Sequence, residues 1–174
     1  RLNYLSRQDM KIILHYLGNI MIGIGAVLLV PIIVDVLSME FCYPIGLIPP
    51  LISMGLGHLF VYKFREYDKL KFKHSMLISS IAWLWAGFVA ALIMMLILDM
   101  SFIDAFFENS SAWTGSGLTM ISDVESLPMS ILFLRSLEQW VGGLGVVIIF
   151  ISVLIKPGTS AFKLYKSEAR EDRI

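Results

Sequence analysis

Six consecutive residues, Thr114-Gly115-Ser116-Gly117-Leu118-Thr119, combine small and hydroxyl-bearing side chains with two glycines. Glycine relaxes the backbone angles enough for consecutive carbonyls to turn to one side, where a residue with a Cβ resists. A row of carbonyl oxygens is what a dehydrating alkali cation needs. Stripping water from an ion costs on the order of 20 kcal/mol in an idealised low-dielectric medium, and oxygen dipoles must replace the hydration shell. Gly117 is the central residue of such a row. The same run also suits an outer turn between helices, with Gly and Ser as turn formers. Periodicity fits both arrangements equally.

The preceding residues favour a loop that enters an apolar layer. Ser101 can cap a helix and Asp104 suits its positive N-terminal end, so a short, largely apolar helix is expected from about Phe102 to Trp113. The chain should extend at the glycines, and Asp123, Glu125 and Pro128 then return it to an outer surface. The whole connection, about 30 residues, is too long for a tight helical hairpin and too apolar for a solvated loop. A half-helix that enters a membrane and an extended segment that leaves it expose backbone carbonyls at membrane depth. Only a water-filled or protein-lined pore accommodates them.

The rest of the chain supplies membrane-spanning elements. Its 174 residues are 57% hydrophobic and only 16% charged, with a mean hydropathy of +0.76, which excludes an ordinary soluble domain. Four stretches, Ile12 to Leu37, Ile45 to Phe64, Met76 to Leu98 and Met129 to Ile155, each exceed the roughly 20 residues a helix needs to cross a bilayer. The first run is too long for a cleaved signal peptide. Met is absent at position 1, so the sequence is expected to start inside a longer reading frame or after processing.

Charge sets the expected orientation. Arg1, Arg7 and Lys11 precede the first span, Lys63, Arg65, Lys69, Lys71 and Lys73 lie between the second and third, and Lys156, Lys163, Lys166, Arg170 and Arg173 follow the fourth. Asp35, Glu40, Asp99, Asp104, Glu108, Asp123 and Glu125 occupy the opposite loops. The positive-inside rule then makes both termini cytoplasmic. The formal net charge of +0 gives no indication of a nucleic-acid partner.

Several further residues stand out. Arg135 and Glu138, one turn apart, can share a face and partly neutralise each other, either in support of the pore loop or as a polar contact between repeats. Gly142, Gly143 and Gly145 allow close approach of another helix or of the loop backbone. Pro31 should kink the first span. Cys42, the only cysteine, excludes an intrachain disulfide and reads as an inert outer thiol. His15, His58 and His74 lack metal-ligand spacing, and His15 and His74 are expected at the membrane interface. Trp83, Trp85 and Trp140 read as packing or lipid contacts. No phosphate-cradling loop and no nucleophile beside a base is present, so no enzyme activity is expected.

The stretch Asp104-Ala105-Phe106-Phe107-Glu108, then Ser111-Ala112-Trp113-Thr114-Gly115-Ser116-Gly117-Leu118-Thr119, and then Gln139-Trp140-Val141-Gly142-Gly143-Leu144-Gly145 resembles the TrkH/KtrB superfamily of potassium transporters. The blocks follow the family's order and spacing, and Ile12 to Phe64 matches its two preliminary helices, so the resemblance covers essentially all of the chain. It implies an all-α integral membrane fold: four transmembrane helices plus one re-entrant pore helix and an extended filter segment. The implied divisions are 1–74, an N-terminal helix pair with its cytoplasmic loop; 75–155, a helix/pore-loop/helix repeat; and 156–174, a cytoplasmic tail or linker.

On the family pattern Gly117 matches the filter glycine, and Thr114, Gly115, Ser116 and Leu118 match the neighbouring carbonyl donors, with potassium bound at those carbonyls only and no cofactor. Many members carry threonines where this chain has Gly115 and Ser116; the backbone donors remain. Members hold four pseudo-repeats around one pathway, and this chain holds one, as the N-terminal portion would. Membrane lipid, the remaining repeats, a cytoplasmic ring of nucleotide-binding subunits and a dimer of full-length transporters are the implied partners, in a prokaryotic plasma membrane. Two other arrangements fit the same residues: a homotetrameric cation channel with one loop per chain, and a non-conducting membrane scaffold or fragment.

Overall fold

The computed structural model describes residues 6–65 and 72–154, with side chains for 6–65 and 73–147. All regular structure among them is helical: α1 (Arg7–Leu29), α2 (Pro31–Ser38), a 3₁₀ turn (Tyr43–Leu47), α3 (Ile48–Lys63), α4 (Phe72–Leu98), α5 (Phe102–Thr114) and α6 (Met129–Leu154). Lys69, Lys71, Ile155 and the tail 156–174 lie outside the described residues. Three segments, Arg7–Ser38, Tyr43–Lys63 and Lys73–Leu98, are long and apolar enough to cross a membrane. The protein itself buries only 28%, 28% and 44% of their most apolar windows, so most of that apolar surface faces outward.

Local chemistry explains where the helices begin and break. Ser6 and Asp9 form a capping box at α1: Asp9 N–H donates to Ser6 Oγ at 3.1 Å, and Ser6 N–H to Asp9 Oδ2 at 3.0 Å. Pro31 offers no N–H and crowds the turn before it, so α1 stops at Leu29 and α2 restarts. The bonds there tighten to Val30 N–H on the Val27 carbonyl and Ile33 N–H on the Val30 carbonyl. The expected first span is therefore two helices. The second opens as a 3₁₀ turn carrying Pro44, and Pro49 and Pro50 occupy the first turn of α3, where their missing N–H groups cost nothing.

Polar ties fix the helices at both ends of the bundle. At one end Asp9 accepts from Lys73 Nζ at 3.0 Å and meets His74 Nε2 at 2.7 Å, joining the start of α1 to the start of α4. His74 is fully buried there. At the other end the buried Asp35 carboxylate accepts from the backbone N–H groups of Cys42 and Tyr43, at 3.1 and 3.2 Å, and from the hydroxyl of Ser130 at 3.3 Å. Glu40 accepts from Met129 N–H at 2.9 and 3.1 Å, placing negative charge at the N-terminus of α6. Burial pushes the Cys42 thiol up; Ser130 opposes that and Asp35 adds to it, leaving a neutral, poorly nucleophilic sulfur.

Backbone contact joins α1 to α3. A Cβ added at Gly57 would meet the Gly18 carbonyl at 2.6 Å, and one at Gly18 would meet the Gly57 carbonyl at 2.7 Å. Ser53 then links three helices: its Oγ donates to the Met21 carbonyl at 3.0 Å and accepts from Trp85 Nε1 at 2.9 Å. The main core lies beyond this pair, where Val89, Ile93 and Met94 of α4 pack with Ala105 of α5 and with Ile131 and Leu134 of α6. Gly57→Ala should separate α1 from α3 at an overpacking cost of about 1–3 kcal/mol. Gly55→Ala, with nothing within 4 Å, should change stability little. Thermal unfolding of the two variants in detergent checks the difference; equal midpoints would show that the Gly18–Gly57 contact does not limit packing.

Candidate ion-binding loop

The short helix forms where its caps require. Ser101 caps α5, with Asp104 N–H donating to its Oγ at 3.2 Å, and Asp104 places negative charge in the first turn. At the other end Gly115 has φ +71°, a left-handed conformation that suits glycine. Gly115 N–H donates to the Ala112 carbonyl at 3.0 Å and Ser116 N–H to the Ser111 carbonyl at 3.1 Å, the two bonds of a Schellman ending. The helix ends at Thr114, one residue beyond the expected Trp113.

This end lies half-way along its neighbours. Gly142 stands 13 residues into the 26-residue α6, about 20 Å from its first turn. A Cβ there would run into the Trp113 carbonyl. On α4, Trp83 meets the Trp113 ring edge-on at 6.4 Å, and a Cβ at Gly87 would lie 3.2 Å from Ser110 Oγ. The close approach expected of the three glycines thus falls on Gly142. A Cβ added at Gly145 would lie 3.4 Å from the Trp83 ring, and one at Gly143 would meet no neighbouring described atom within 4 Å.

After Gly115 the chain turns back along α5 and is held by two of its buried polar residues. Ser111 is the first. Its carbonyl also accepts from the hydroxyls of Ser116 and Thr114, each at 3.3 Å, and its own Oγ donates to the Leu118 carbonyl at 2.6 Å. Glu108, one turn earlier and 1% exposed, is the second. It accepts from Thr119 Oγ1 and from Met120 N–H, each at 2.8 Å. Gly117 has φ +71°, so two left-handed glycines flank Ser116.

The five candidate carbonyls differ in how they are engaged. Leu118 is turned onto Ser111, which occupies one of its two lone pairs. The carbonyls of Thr114, Gly115, Ser116 and Gly117 accept no hydrogen bond among the described residues. They gather at the C-terminal end of α5, where the helix dipole carries partial negative charge and favours a cation.

Arg135 makes its direct ion pair outside its own helix, although its charge still acts on the nearby Glu138. Arg135 Nη2 reaches Glu108 Oε1 at 2.6 Å, because α5 presents a buried carboxylate that needs a counter-charge. Glu138 is fully buried, with the Trp113 indole and Arg135 as its nearest polar neighbours. The sequence-based site omitted Glu108 and Ser111. Their spacing of three on a short helix, facing a glycine-rich return, was the available signal.

Unequal effects are expected from the two buried glutamates. Glu108→Gln weakens a buried pair and leaves Arg135 without its anion, a loss of about 3–5 kcal/mol for complete separation. Glu138→Gln breaks no ion pair and should move the thermal midpoint by much less. Melting curves in detergent decide it, and equal losses in the two variants would contradict the pairing.

The profile of the TrkH family, described as a cation transport protein, matches residues 50–173. An uncharacterized cation transporter of Methanocaldococcus jannaschii is 45% identical over 172 residues, covering 98% of this chain and 36% of the relative. A Trk system potassium uptake protein TrkH of Halomonas elongata is 29% identical over 163 residues, covering 92% of this chain and 34% of the relative. The TrkG potassium uptake protein of Escherichia coli K12 is 46% identical over 71 residues, 41% of this chain and 15% of the relative. The chain thus spans about a third or less of the length of these curated relatives. No solved structure matches it. With its profile match running from the first turn of α3 through the loop and α6, the chain belongs to the TrkH family of cation transport proteins.

Proposed function

We propose that the chain supplies one side of a potassium-selective pathway, with the carbonyls of Thr114, Gly115, Ser116 and Gly117 as ion ligands and Leu118 as the outer, partly engaged member of the row. The carrying observation is the set of four carbonyls without hydrogen bonds, grouped at a helix C-terminus half-way along α6. At that depth in a hydrocarbon layer about 30 Å thick, such groups need a substitute partner. A dehydrated cation is one. Potassium is the ion named for the TrkH and TrkG relatives.

In this reading α6 is the fourth span, with Arg135 and Glu138 covered by protein. Residues 1–74 form a peripheral helix pair, 75–155 the conducting repeat and 156–174 a cytoplasmic tail, with both chain ends on the cytoplasmic side. Arg7, Lys11, Lys63, Arg65 and Lys73 all lie at the end of the bundle where Lys73 and His74 meet Asp9, which supports one basic face. One row of carbonyls covers one side of an ion. The remaining sides come from further repeats or from further copies of the chain, and a cytoplasmic nucleotide-binding subunit is the expected regulator. No covalent chemistry is involved.

Potassium uptake against sodium competition tests this in cells lacking their own potassium transporters. The chain is expressed alone and grafted in place of the matching segment of the Methanocaldococcus jannaschii relative. Selective uptake by the graft is expected; selective uptake by the chain alone would identify self-assembly. No uptake by either form, despite membrane insertion, would refute a conducting role. Gly117→Ser forces a Cβ into a left-handed conformation at about 1–2 kcal/mol, and should reduce the potassium-to-sodium ratio by about 5- to 30-fold if that strain falls on the bound ion. An unchanged ratio would remove Gly117 from the ion-binding row.

A further inference from the structure

An ion-selective row of carbonyls must be held on both sides of its ligands, since a free end would let the oxygens follow a smaller ion inward. On the ingoing side, the Schellman ending and the Ser111 carbonyl fix Gly115 and Ser116. On the outgoing side, the first side-chain anchor beyond the Ser111–Leu118 bond is Glu108, two residues after Gly117 at Thr119 and three at Met120. Both carboxylate oxygens are committed. Oε1 takes the Thr119 hydroxyl and Arg135 Nη2, and Oε2 takes the Met120 N–H. The Thr119 hydroxyl oxygen in turn accepts from Ile121 N–H at 3.1 Å, so three consecutive residues hang on one buried carboxylate.

Arg135 lies two turns outward of Gly142 on the same face of α6. That face therefore holds both limbs of the loop: Gly142 at the Trp113 carbonyl on the way in, and Arg135 through Glu108 on the way out. Resting on the conducting pathway proposed above, we infer that Glu108 is the positioning residue that sets ion discrimination, with Arg135 as the counter-charge that ties the outgoing limb to α6. Glu108 touches no ion. It acts through Thr119 and Met120, whose placement determines where the Gly117 and Leu118 carbonyls point. The contact is made by a single guanidinium nitrogen, Nη2, so charge and reach are what the position requires.

The test uses the potassium-to-sodium uptake ratio, normalised to the amount of protein in the membrane, in whichever of the two forms above carries uptake. A merely structural defect lowers uptake of both ions together and leaves the ratio alone. Ser53→Ala, remote from the loop, provides that comparison. Glu108→Gln should lower the ratio about fivefold or more, and Thr119→Val, which leaves the Glu108–Arg135 pair intact, should lower it by a smaller factor. Arg135→Lys should retain most of the ratio that Arg135→Gln loses. If Glu108→Gln fails to reach the membrane, the double variant Glu108→Gln/Arg135→Gln leaves no orphaned charge and should show the same low ratio. Ratios within twofold of the unmodified protein in Thr119→Val and in the glutamine variants that reach the membrane would overturn the inference. Gly117→Ser separates the two readings: a lowered ratio there with unchanged ratios in the other variants sinks the role of Glu108 alone, and no shift in Gly117→Ser sinks the filter assignment beneath it.

Discussion

In an apolar layer every backbone carbonyl needs a partner, and this loop leaves four adjacent ones without a hydrogen bond among the described residues. Most of the local structure follows from holding that segment in place. The left-handed Gly115 lets the helix end abruptly by satisfying its last carbonyls from Gly115 and Ser116 themselves. Ser111 and Glu108, which would be awkward polar residues on an isolated apolar helix, become the partners of a returning strand with no sheet to join. Arg135 is tolerable in α6 because Glu108 is there, and Glu108 is tolerable in α5 because Arg135, Thr119 and Met120 are.

The helices themselves were legible because their signals are local. Ser101 and Asp104 mark the start of α5 and Gly115 its end, each through a neighbour within four residues. Pro31 announced the break in the first span for the same reason, since its missing N–H acts on its own turn. The loop glycines were also recognisable, and both adopt the left-handed backbone for which glycine is suited.

The partners of the buried charges were less legible, because pairing is a tertiary property. Arg135 has Glu138 three residues away on its own helix, and spacing alone favours that pair. The structure gives Arg135 to Glu108, 27 positions earlier, because the two helices cross where a carboxylate already serves the return strand. The burial of His74 is another tertiary property, since its partner Asp9 stands at the start of a different helix. Asp35 and Glu40 looked like outer-loop charges, yet one gathers the loop backbone and the other caps α6.

These long-range ties give α6 a particular place in the mechanics of the loop. Its inward face contacts the end of α5 at Gly142, where no side chain intervenes, and the outgoing limb through the charge on Arg135. Its first turn is held by Glu40 and, through Ser130, by Asp35. A displacement of α6 would therefore act on both limbs at once, whereas α4 meets α5 through apolar and aromatic packing, at Trp83, Gly87 and Phe88 among others. Glu138 sits between Arg135 and Gly142 on that face, next to the Trp113 indole, so a buried polar group lies between the two points at which α6 holds the loop.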